Sequence, residues 1–145
     1  MQEPPTFLIP LVVLVPFGVI LVFSRISGWN LLAEHYPPTG DLPPTKKRMG
    51  YGVFRGWIGY NGGIIVGSNA GGLSLRAMPL LLSFCHRPIF IPWSEISRIE
   101  ERSGWKGRTW AIRTRRAADV DFALRPSTFQ VVRDDAKSAG VPGEY

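Results

Sequence analysis

Between Pro4 and Ser24 the chain carries no charged side chain, and Phe7 to Phe23 reads FLIPLVVLVPFGVILVF. As a helix rising about 1.5 Å per residue, these 21 residues reach about 31 Å, close to the roughly 30 Å of one hydrocarbon core. A single transmembrane anchor over residues 1–25 is the expectation. A cleaved signal peptide is the alternative, but such peptides begin with Lys or Arg, whereas this chain reads Met-Gln-Glu, and no A-x-A-like site follows Phe23. Pro10 and Pro16 each lack a backbone donor, so a kinked helix is expected, with neighbouring helices or local 3₁₀ geometry satisfying the freed carbonyls. Simple tolerance of proline in membrane helices is the other reading. No histidine lies between Phe7 and Phe23, which argues against a pigment ligand inside the span.

Orientation follows from flanking charge, because Lys and Arg are retained on the cytoplasmic side. None precedes the span, while Arg25 and the run Lys46, Lys47, Arg48 follow it, so the N-terminus is expected outside and the remainder in the cytoplasm. Residues 26–48 read as a connector. Ser27 to Tyr36 has a capping residue, then Trp29, Leu32 and Tyr36 at helical spacing, and Pro37-Pro38 as a stop, which predicts a short amphipathic helix. It is expected either on the membrane surface or as a continuation of the span, with Arg25, Trp29, Tyr36, Lys46, Lys47 and Arg48 as interface anchors. The four prolines of PPTGDLPP at Pro37–Pro44 predict a semi-rigid spacer.

From Met49 to Tyr145 the pattern changes to short apolar runs punctuated by glycine about every ten residues, as in an all-β domain. Seven antiparallel strands are expected near residues 51–59, 63–66, 72–77, 88–91, 95–102, 108–115 and 119–125. The first hairpin is placed at Tyr60-Asn61-Gly62-Gly63, because Asn-Gly supplies the positive φ angles of a tight turn. In the last hairpin, Trp110 and Ile112 alternate with Arg113 and Arg115, and Val120, Phe122 and Leu124 with Asp119 and Asp121. One register puts Trp110 opposite Leu124, Arg113 opposite Asp121 and Arg115 opposite Asp119. Pro126-Ser127-Thr128, the stripe Phe129, Val132, Ala136, Ala139 and the stop Gly140 predict one C-terminal helix of about a dozen residues.

Seven strands followed by a helix resemble the pleckstrin-homology-like superfamily, including GRAM and bacterial PH domains, over about Gly50 to Gly140. The closest local likeness is Phe90-Ile91-Pro92-Trp93-Ser94-Glu95-Ile96, similar to the turn between strands four and five of that group. Ser27–Pro37 is similar to an uncharacterised bacterial membrane-anchored family, which implies a bacterial inner (cytoplasmic) membrane. The fold class expected is thus one transmembrane helix followed by a mainly-β PH-like domain.

Chemistry is sparse. A single cysteine, Cys85, excludes an intramolecular disulfide, and adjacent Cys85 and His86 point to opposite faces of a strand, so they do not make a dyad. His86 is read as a surface residue. His35 and His86 lie in separate segments and no C-x-x-C occurs, so no metal and no cofactor is expected. Seventeen Lys and Arg against eleven Asp and Glu leave +6, and Arg102 to Arg116 concentrates that excess without an acid. With Arg113 and Arg115 engaged by Asp121 and Asp119, the residues Arg102, Lys106, Arg108 and Arg116, with Trp105, form the candidate surface for anionic lipid or a protein partner. A solvated face balanced by the two aspartates is the competing reading; Glu100 and Glu101 are expected solvated or paired with arginines. Nucleic acid is disfavoured, because neither an RNP-type pattern nor a helix-turn-helix is present. The function expected is a non-catalytic accessory subunit whose domain docks on the cytoplasmic face of a larger membrane complex, for which a respiratory or photosynthetic assembly would suit. Trp29, Trp57, Trp93 and Trp105 are its candidate contact aromatics. A membrane-tethered lipid-binding module is the alternative.

Overall fold

The computed structural model describes residues 8–78, 85–104 and 107–145. Helix α1 (Leu8–Ile26) runs through Pro16 and ends at Ser27-Gly28, where Gly28 adopts φ 83°, a conformation that residues with a Cβ resist. Ser27 Oγ accepts the Trp29 N–H at 3.3 Å and so starts α2 (Trp29–His35), which stops at Tyr36 because a residue before proline avoids helical geometry. Among the described residues no single helix is long and apolar enough to cross a membrane; α1 and α2 meet that test only as a pair bent by 62°. The pair cannot cross together, since Trp29, Leu32 and Ala33 of α2 are already buried in the domain.

Seven antiparallel strands follow: β1 (Thr45–Phe54), β2 (Ile58–Ser68), β3 (Gly72–Ala77), β4 (Ile89–Pro92), β5 (Ile96–Gly104), β6 (Gly107–Thr114) and β7 (Phe122–Leu124). They form one curled sheet in the order β4-β3-β2-β1-β7-β6-β5. Its two edges, β4 and β5, are joined directly by a 3₁₀ turn over Trp93–Glu95. Two short helices, α3 (Pro126–Phe129) and α4 (Arg133–Ser138), close the open side, with Phe129 stacked on Trp110 at 5.1 Å between centroids.

The expected first turn is displaced. The β1–β2 reversal lies at Arg55-Gly56-Trp57, with φ of 52° and 80° at the first two, and Phe54 faces Ile58. Asn61-Gly62 sits inside β2, where the pairing shifts from Gly50–Ile64 to Tyr51–Asn61. The positive φ of Gly62 therefore forms a bulge rather than a hairpin end. The single C-terminal helix is likewise interrupted, at residues 130–132. Phe129, Val132 and Ala136 are buried as expected, but Val141 replaces Ala139 on the inner face. Gly140 at φ 75° turns the chain so that the Val141 N–H reaches Ala136 O at 3.2 Å.

Both sheet edges are covered by the chain itself, the usual defence against edge-to-edge pairing. On β4 the Phe90 N–H donates to Tyr36 O at 2.9 Å. On β5 the Ile99 N–H donates to Pro142 O at 3.0 Å, and the Glu144 N–H returns to Ile99 O at 3.0 Å. The segment expected as a semi-rigid spacer is exposed over residues 37–41 and docks only at its end, where Gly67 of β2 faces the Pro44 carbonyl so closely that a Cβ would approach it to 2.6 Å.

Two stability predictions arise here. Lys46 Nζ and Ser68 Oγ both donate to Asp135 Oδ2 at 2.6 Å, pinning α4 to β1 and β2. The Lys46 hydrogen bond foremost, then that of Ser68, holds the Asp135 carboxyl below its usual range. Its stabilisation is complete above the unfolded carboxylate value, about 3.9, and is lost as pH falls through that value toward the lower folded one. Asp135→Asn should cost about 1 kcal/mol in urea unfolding at pH 7, with the difference from wild type shrinking in acid. In contrast, the buried Thr114 Oγ1 finds no partner among the described residues. Thr114→Val, which replaces that hydroxyl by a methyl, should raise stability by about 1 kcal/mol by the same measurement.

Candidate functional site

The basic ribbon is built on β5, β6 and the segment leading to β7. The expected backbone register is present: Trp110 pairs with Leu124, Ala111 with Ala123 and Ile112 with Phe122. The expected ion partners are not. Pairing ends at Phe122, so Arg113 turns instead to an acid on β5, the other neighbour of β6, and Arg115 to a backbone carbonyl. Arg113 reaches Glu100 at 3.8 Å, Asp121 is taken by Arg102 at 3.3 Å, and Arg115 Nε donates to Ser94 O at 3.0 Å.

Arg102, Arg108 and Arg116, expected to be free, are therefore engaged. Arg102 also approaches Glu100 at 3.9 Å. Arg108 forms a two-pronged pair with Glu101 and lies 4.8 Å over the Trp110 ring. Its hydrogen bond holds the Glu101 carboxyl below, and its own guanidinium above, their ordinary values. Arg116 sits 3.4 Å from Glu95, and its backbone N–H donates to Tyr36 Oη at 2.9 Å. Glu100, approached by Arg98, Arg102 and Arg113, is the hub of this network. Trp105 and Lys106 lie outside the described residues. Of the ribbon as described, the alternating charges form a cross-strand ladder rather than an open cationic surface.

The interface anchors are also redistributed. Trp29 and Tyr36, expected at headgroup level, are 0% and 3% exposed within the domain core. The stripe they belong to fills the concave side of the sheet: Trp29 lies 5.5 Å from both Phe54 and Tyr60, and Tyr36 Oη donates to Glu95 Oε2 at 3.2 Å. Trp93 is buried as well, while Trp57 is 63% exposed. Lys46 is paired with Asp135, and Lys47 and Arg48 stand beside it near the start of β1, at the opposite end of that strand from the Arg55–Trp57 reversal. Arg25 is exposed in the last turn of α1.

What sequence reasoning missed is the joint where α1 enters the domain. Ser27 Oγ and Tyr60 Oη are 2.9 Å apart, and Tyr60 Oη lies 2.8 Å from His86 Nε2. His86, read as a surface residue, is 2% exposed and packs its ring edge-on against Trp29. Phe23, in the last turns of α1, meets Tyr60 edge-to-face at 5.1 Å. Burial pushes the Tyr60 phenol up to about 12, so it stays protonated and keeps both hydrogen bonds. Three segments far apart in sequence are thereby tied at one point, and no local pattern could announce it. The chain matches no family model and no curated protein.

The chemistry of these groups is that of a joint. His86 Nε2 is turned to Tyr60 rather than to Cys85, which is half-buried. Among the described residues no three metal-ligating side chains come together. A groove of about 410 Å³ runs between the end of α2 and the 3₁₀ turn, where Tyr36, Glu95 and Arg116 bond to one another. Tyr36, Phe90 and Pro92 supply its apolar wall.

Proposed function

We propose that the chain is a non-catalytic, single-span accessory subunit. In this reading α1, with the uncharged residues that precede it, crosses the membrane, and a PH-like domain docks on the cytoplasmic face of a larger membrane complex. One observation carries the reading. The sides of α1 are left uncovered, with Leu11, Val12, Val13, Leu14, Val15, Val19, Leu21, Val22 and Ile26 each between 43% and 70% exposed. Such a column of branched aliphatic side chains is compatible with lipid or with another apolar helix, and not with water.

Further features support it. The uncharged run extends past the described start of α1 to Pro4, and only after the run do Arg25, Lys46, Lys47 and Arg48 appear, which favours a cytoplasmic domain. The curled seven-stranded sheet capped by C-terminal helices fits the PH-like superfamily. Pairing of Arg102, Arg108 and Arg116 with acids favours protein docking over capture of anionic lipid by the ribbon, because each arginine would have to give up a carboxylate first. Gentle detergent extraction of the native membrane, native-gel separation and mass spectrometry test the proposal. Stoichiometric migration with a larger assembly is the expected result, and migration alone would overturn the accessory role.

A further inference from the structure

The β1–β2 reversal stands at the level where α1 meets the domain. Arg55 N–H donates to Asp121 O at 2.6 Å, which fixes the reversal to the segment leading into β7. A Cβ placed on Gly28 would lie 3.0 Å from Arg55 Nε and 2.7 Å from Val120, so the turn abuts the α1–α2 corner. Three residues beyond Trp57, Tyr60 touches both Phe23 and Ser27. The exposed aliphatic column of α1 begins at this corner with Ile26 and runs away from the domain to Leu11. Two residues on from Arg55 in this reversal is Trp57, the most exposed of the large aromatic side chains described. Arg25 and Arg55 are exposed at the same corner, and neither forms an ion pair among the described residues. The neighbouring loop carries two acids, Asp119, adjacent to Val120, and Asp121, whose carboxylate is paired with Arg102.

Indole rings favour the headgroup layer, where the apolar ring and its N–H are both satisfied, and guanidinium groups there meet phosphate. We propose that Trp57 partitions into the headgroup layer of the leaflet that α1 leaves, with Arg25 and Arg55 facing lipid phosphates. The partner is thus the bilayer itself. The domain has a second point of attachment and cannot turn about the helix axis. This rests on the reading of α1 as a membrane span, and Trp57 takes the part that sequence reasoning gave to Trp29 and Tyr36.

The test uses the full chain reconstituted in phosphatidylcholine vesicles with and without phosphatidylglycerol, containing lipids brominated either near the headgroup or deep in the acyl chain. Tryptophan quenching is compared between wild type and Trp57→Phe, so that every other tryptophan cancels in the difference. A bimane on Val19→Cys, in a Cys85→Ser background, reports insertion of α1 separately. The expected result is deep quenching at residue 19 together with a shallow-quenched tryptophan component that is lost in Trp57→Phe in both vesicle types. Deep quenching at residue 19 with no wild-type minus Trp57→Phe difference would overturn the second attachment while leaving the span intact. A difference confined to phosphatidylglycerol vesicles would overturn the indole-driven contact in favour of one made by the arginines. Absence of quenching at residue 19 would overturn both the span and the inference built on it.

Discussion

Trp29→Ala is expected to lower the stability of the domain by about 3–5 kcal/mol, the range for deleting a fully buried large aromatic side chain. The indole is 0% exposed, lies among Phe54, Tyr60 and His86, and donates its Nε1–H to Arg87 O at 2.8 Å. Truncation leaves a cavity at the centre of the cluster and an unpaired carbonyl beside β4. Urea unfolding followed by circular dichroism in detergent would measure the loss. A surface role for Trp29 predicts the opposite, a change within about 0.5 kcal/mol, so the experiment separates a core residue from a membrane anchor. Trp29→Phe should fall between, since it keeps most of the ring and loses the Nε1 hydrogen bond.

Gly28→Ala is expected to be nearly as damaging, at about 2–3 kcal/mol, for a different reason. Its φ of 83° strains any residue with a Cβ, and that Cβ would press on both methyls of Val120, at 2.7 and 2.9 Å. Relief by changing φ would swing α1 away from its 62° angle to α2 and pull Ser27 from Tyr60. Distances between spin labels on α1 and β6, measured by pulsed electron resonance, should shift and broaden in Gly28→Ala. Tyr60→Phe, which removes only the hydroxyl, should leave φ unstrained and cost about 1–2 kcal/mol. If Gly28→Ala left both stability and the distance distribution unchanged, the joint would not set the angle of the helix.

Much of the β architecture was legible because strand alternation is a local signal. The presence of seven antiparallel strands, the positions of β3 to β6, the β6–β7 register through Trp110 and Leu124, and the stop at Gly140 follow from periodicity and turn chemistry, whereas β1 begins at Thr45, inside the expected connector, and the expected first strand runs across the reversal. The first hairpin was not, since Asn61-Gly62 advertises positive φ without saying whether a reversal or a bulge will use it. That Glu100 and Glu101 pair with arginines was one of the two expectations for them, but which arginines they take was hidden, because the alternation of β6 and β7 points to Asp119 and Asp121 and is silent about β5 on the other flank. Trp29 and Tyr36 misled for a related reason. A helical stripe states that a face seeks cover and leaves open whether lipid or a sheet supplies it. The joint of Ser27, Tyr60 and His86 was invisible, as its members are 33 and 26 residues apart along the chain.

The attachment of α2 to the sheet has a mechanical consequence. A pull along α1 enters the domain at Ser27 and divides between two places: Tyr60 on the interior strand β2, and β4 through Trp29–Arg87 and Tyr36–Phe90. Strand β4 is four residues long with β3 as its one strand neighbour, whereas β2 is eleven residues long and lies between two strands, so β4 is held to the sheet by far fewer bonds. Tension on the stalk would therefore strip β4 and open the groove beside Phe90 before the rest of the sheet yielded, making the domain's edge its mechanical fuse.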